Sequence, residues 1–120
     1  MNLRNWNIFL IPNLKNDDPV QFGLKSSVLQ DLCTIFESFA AIDEVLIFGS
    51  RAKGNQKNGS DVDLAIKGDV DLNTLTKIEV MIDNLLLPFT FDICIFNRLK
   101  HIDLIDHINR VGKVIYKKDK

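Results

Sequence analysis

The 120-residue sequence is short of the features that mark specialised protein classes. It has two cysteines, Cys33 and Cys94, and each sits among apolar neighbours where a free thiol behaves as a small buried hydrophobe, so no disulfide framework is expected. Long hydrophobic runs are missing as well. Ile8-Phe9-Leu10-Ile11 is halted by Pro12 and falls far short of the roughly 18 residues that span a bilayer, which excludes a membrane role and points to a cytoplasmic protein. Neither charge sign is in surplus: 15 Lys and Arg against 16 Asp and Glu leave a net charge of −1. Direct nucleic-acid binding is therefore not expected, while a nearly neutral surface leaves room for a homo-oligomer or an obligate partner. Repeats and low-complexity segments are absent.

What is present reads as one soluble domain. Apolar residues make up 46% and charged residues 26%, an ordinary globular balance, and the length suits one packed core. Residues 1–22, with Pro12 and Pro19 and no sustained period, form an expected N-terminal arm ahead of a domain over residues 23–120. From Leu24 to Phe39, apolar residues at three- and four-residue steps predict a helix. Glu44–Phe48 reads as a strand buried on both faces, and Asp61–Ile66 as a second strand. Asp71 is a candidate N-cap for a helix running toward Pro88. Phe89–Phe96 predicts a third strand, Leu99–Val111 a third long helix ended by Gly112, and Val114–Tyr116 an edge strand. His101 and His107, six apart on that last helix, do not share a face with each other and are assigned to the surface.

Three acids interrupt these strands. Asp61 and Asp63 are one residue apart and on a strand would point to one face, with Val62 and Leu64 on the other. Asp92 breaks the third strand in the same way. Adjacent carboxylates repel and are costly to desolvate unless a cation lies between them, and Mg²⁺, a hard ion that prefers oxygen ligands, is the simplest compensation. Three converging carboxylates could hold two such ions about 4 Å apart. The bland alternative is that Asp-x-Asp pairs at strand mouths serve as turn or cap residues. The preceding Gly49-Ser50-Arg51-Ala52-Lys53-Gly54 shifts the balance. A glycine at a strand end admits a ligand to the backbone, Ser50 offers a cap and a hydroxyl, and Arg51 and Lys53 add positive charge. By itself such a turn would be an ordinary strand-to-helix connection.

Taken jointly, Gly49-Ser50, ten residues, Asp61-Val62-Asp63 and the later Asp92 resemble the nucleotidyltransferases of the DNA polymerase beta superfamily. The form GSRAKGNQKNGSDVDLAI followed by FDICIFN resembles their minimal nucleotidyltransferase (MNT) domains, over about residues 24–116. Lys53 stands where the family more often has arginine, retaining charge without the bidentate fork. The resemblance implies an α/β (α+β) nucleotidyltransferase fold, a mixed three- to four-stranded sheet flanked by helices. It implies that Gly49 and Ser50 contact the triphosphate, that Asp61 and Asp63 bind two Mg²⁺ ions, and that Asp92 serves the catalytic ion and the acceptor hydroxyl; Arg51 and Lys53 would lie near the phosphates. It further implies an ATP-using adenylyltransferase antitoxin whose partner is a HEPN-type ribonuclease toxin modified on tyrosine. A non-catalytic antitoxin that masks its partner and a small-molecule nucleotidyltransferase are the competing expectations.

Overall fold

The computed structural model describes residues 19–119; what the sequence suggests for residues 1–18 lies outside them. A two-stranded antiparallel hairpin comes first, β1 (Val20–Gln21) and β2 (Leu24–Lys25). Helix α1 (Ser26–Glu37) follows, beginning two residues later than its apolar spacing predicts because Leu24 and Lys25 are taken by the hairpin. The arm boundary expected between residues 22 and 23 falls inside the hairpin turn.

The chain then enters a central sheet of four strands, β3 (Ile42–Phe48), β4 (Val62–Gly68), β5 (Phe91–Ile95) and β6 (Lys113–Lys117), in the order β5-β4-β3-β6. Strand β3 is antiparallel to both β4 and β6, whereas β4 and β5 are parallel. The sheet is therefore mixed, with β5 and β6 at its edges. Between the strands lie α2 (Gly49–Lys53), α3 (Leu72–Asp83) and α4 (Ile102–Val111), with a 3₁₀ turn over Phe96–Arg98 after β5. Asp71 caps α3 as its sequence position suggests, its Oδ1 accepting from the Thr74 amide at 2.7 Å.

The two faces of the sheet are covered unequally. Val45, Ile47, Val62, Leu64 and Ile66 pack beneath α1 and α3 with Leu32, Phe36, Ile78 and Ile82 in the main core. On the other face, Leu46, Phe48 and Ala65 meet Ile108 of α4 in a smaller cluster. This explains why β3 reads as an unbroken apolar run: both of its faces are buried. Among the described residues no helix is long and apolar enough to cross a membrane.

Candidate active site

Strand alternation assigns the acids to the thinly covered face. Val62, Leu64, Phe91 and Ile93 belong to the main core, so Asp63 and Asp92, alternating with them, point the opposite way. In the parallel β4–β5 ladder Asp63 and Asp92 are direct partners, and on the other side Asp63 is paired with Phe48. Asp63 thus sits between the strand end that leads into Gly49 and the strand that carries Asp92. Asp61 precedes β4 by one residue, so it is not held by the strand ladder as the sequence pattern suggests. It is nevertheless close enough to act on the charge of Asp63.

Gly49 is required where it stands. Its φ of +72° is left-handed, and a Cβ there would run into Oδ2 of Asp63, so both backbone and space select glycine. Burial raises the Asp63 carboxyl above its ordinary proton affinity; Asp92 and then Asp61 raise it further, while His107 and Arg51 pull it back. With desolvation and two neighbouring carboxylates outweighing His107 and Arg51, the anion is only partly compensated. Among the described residues no three acidic, histidine or cysteine side chains stand gathered as a ready cation cage. The donor chemistry still fits Mg²⁺: all three are carboxylates, the hard oxygen ligands it takes, Asp63 is paired with Asp92 across the β4–β5 ladder, and Asp63 lies against Gly49.

Ser50 lies inside α2 and is not its N-cap; Phe48 holds that position, and no side chain caps the helix. Lys53 is exposed at the far end of the same helix. Arg51 departs most from expectation. It is 3% exposed, and its guanidinium donates to the main-chain carbonyls of Phe22 at 2.9 Å, Ser60 at 2.8 Å and Asp61 at 3.3 Å. It also lies 5.0 Å over the Phe89 ring. Its donors are turned to the backbone, so in this structure its work is to hold the chain.

His107 is a residue that sequence reasoning sent to the surface. It is half-buried, edge-on to Phe48 with ring centroids 6.1 Å apart, on the same side as Asp63 and close enough to favour its ionised form. The signal was in the sequence: His107 lies three residues after Leu104 and four before Val111, on the face of α4 that reaches the smaller core. Only its spacing to His101, which caps α4 instead, had pointed outward. A groove of about 550 Å³ opens between α3 and β5, lined by Val80, Ile82, Phe91 and Ile93 among others; it lies on the main-core side, away from the acids.

Residues 30–120 match the family described as polymerase beta, nucleotidyltransferase. The chain belongs to this nucleotidyltransferase family. Solved structures agree on the nucleotidyltransferase fold. A toxin–antitoxin with AMP-PNP superposes with a TM-score of 0.63 at 16% identity, over 76% of this chain and 74% of that one. A mutant MntA–HpeT toxin–antitoxin gives 0.61 at 12% identity, over 76% and 74%. A tri-AMPylated Shewanella oneidensis HEPN toxin in complex with its MNT antitoxin gives 0.58 at 13% identity, over 77% and 71%. No curated protein matches the chain.

Proposed function

We propose that this nucleotidyltransferase moves AMP from ATP to a hydroxyl of a partner protein, as an antitoxin that adenylylates a tyrosine of a HEPN-type toxin. The observation that carries the transferase reading is the pairing of Asp63 with Asp92 at the open end of the sheet, with Gly49 against Asp63. The partner is suggested by the similarity to a fold found in toxin–antitoxin complexes, one with a nucleotide analogue and one with an AMPylated HEPN toxin.

In this reading Gly49 and Ser50, at the start of α2, take the triphosphate, and Asp61, Asp63 and Asp92 would hold the Mg²⁺ ions. When bound, the ions neutralise the triphosphate and acidify the acceptor hydroxyl. Asp92 is exposed on an edge strand, so an acceptor can reach it from solvent and lose its proton there. The acceptor oxygen then bonds to the α-phosphorus as the α–β anhydride breaks and pyrophosphate leaves, with positioning and charge neutralisation supplying most of the acceleration. His107, edge-on to Phe48, pulls the Asp63 carboxyl toward the ionised form that such a site uses.

The test is to incubate the chain with α-labelled ATP, Mg²⁺ and a HEPN protein, then map the label by mass spectrometry. AMP on a partner tyrosine is expected. Tight binding with no label would replace the enzyme by an antitoxin that acts through masking, and label on a small molecule would redirect the acceptor.

A further inference from the structure

We infer that the Pro19–Lys25 hairpin and Arg51 form a positioning clamp for Asp61, with Arg51 acting as a strut between backbone segments and not as a phosphate ligand. The inference rests on the transferase reading above for its consequence in activity, but its geometry stands independently. Asp61 is exposed and lies before the first paired residue of β4, so the sheet does not fix it. What reaches it is the guanidinium of Arg51, whose Nε donates to the carbonyls of both Ser60 and Asp61 while Nη2 donates again to Ser60.

The opposite edge of the same guanidinium is held by the hairpin. Nη1 donates to the carbonyl of Phe22 at 2.9 Å. Phe22 and Gly23 both have left-handed backbones, with φ of +60° and +74°. That is the form of a two-residue hairpin turn, which favours Asn or Gly at its first centre, so Phe there is strained. The hairpin is closed by the Ser26 amide donating to Pro19, and Phe22 and Leu24 pack into the main core. This anchors the strained turn. Gly23 leaves the slot: a Cβ there would lie 2.6 Å from Nη1 of Arg51 and 2.9 Å from Gln56. Arg51 therefore joins residues 22 and 60–61, far apart in sequence, through one planar fork. Lysine, a single point of positive charge, cannot bridge both sides.

The experiment uses the full chain. Arg51→Lys keeps the charge and removes the fork, and Gly23→Ala leaves Arg51 intact but crowds its slot. Amide hydrogen exchange is measured without nucleotide or metal, and transfer kinetics against both Mg²⁺ and ATP. The expected result is faster exchange in Phe22–Lys25 and Ser60–Val62 together, in both variants, with α3 unchanged. In transfer, kcat falls about 10- to 100-fold, as slight misplacement of a reacting group does; the Mg²⁺ needed for half-maximal rate rises, and the ATP KM stays within about twofold. Unchanged exchange at Ser60–Val62 overturns the clamp whatever the activity does. A rise in ATP KM with kcat preserved also overturns it, because Arg51 would then be a phosphate contact. If the parent chain transfers nothing, the proposed function falls while the exchange data still decide the clamp. Should Arg51→Lys fail to fold, Gly23→Ala carries the same readings.

Discussion

The two faces of the central sheet differ in what they are built to do. On one, Val45, Ile47, Val62, Leu64 and Ile66 are wholly buried under α1 and α3. On the other, the buried set is Leu46, Phe48, Ala65 and Ile108, and the strand positions that would enlarge it are Asp63 and Asp92. Each buried Val, Leu or Ile side chain contributes about 1.5–3 kcal/mol, so the packed face supplies most of the stabilisation. That surplus lets the thin face keep charged groups in a poor electrostatic setting. Adjacent positions on β4 thus face opposite demands: Leu64 is wholly buried in the main core, whereas Asp63 is a partly buried acid on the thin face, where the proposed chemistry would take place.

The largest expected effect comes from removing the charge on the thin face. Asp63→Asn should lower transfer by ~100- to 1,000-fold, the scale of losing one charge-stabilising group, and should raise the thermal midpoint in the presence of a chelator. The sign follows from the raised pKa of Asp63. The folded state binds that proton more tightly than the unfolded chain, so this group's contribution falls as pH rises from the ordinary carboxylate value through the raised one, and at neutral pH the ionised acid opposes folding. A lower midpoint in calorimetry at pH 7 would show that Asp63 supports the fold and would erase the contrast between the faces.

Next in size is Ile66→Ala on the packed face, which should cost about 2–5 kcal/mol in denaturant melts while the folded fraction keeps the parental transfer rate. A loss below about 0.5 kcal/mol, within the range of an ordinary surface change, would mean the main core is not the better packed side. The smallest effect belongs to Asp71→Ala, at the start of the helix that covers the packed face. Hydrogen bonding to Thr74 holds the Asp71 carboxyl below its ordinary value, so its stabilisation is present above the usual carboxylate pKa and lost as pH falls through the depressed one. The variant should melt lower than the parent at pH 7, and the gap should close in acid. A gap that stays constant across the pH series would assign the effect to the helix and not to the cap.

Much of this organisation was readable in advance because it depends on period. The apolar run of β3, the helices with three- and four-residue spacing and the cap at Asp71 are local patterns, and they appear within a few residues of where they are expected. Their ends moved where non-local pairing intervened: Leu24 and Lys25 left α1 for the hairpin, and Phe96 left β5 for a 3₁₀ turn. Asp63 and Asp92 were legible as acids out of place in strands, since alternation alone sets their face. Arg51 was not. Its sequence neighbours said only that positive charge lies near a glycine-serine turn, whereas its burial and its carbonyl partners come from residues 22, 60 and 61.

The sequence by itself determined the repeat of its helices and strands, the side of each strand on which an acid emerges, and the family to which the joint motif belongs, because these follow from the chain's own geometry and residue order. Tertiary structure alone decided that Asp63 stands opposite Asp92 and that Arg51 braces the backbone. Those facts depend on which distant segments share a face and a dielectric environment, and no spacing along one segment encodes that.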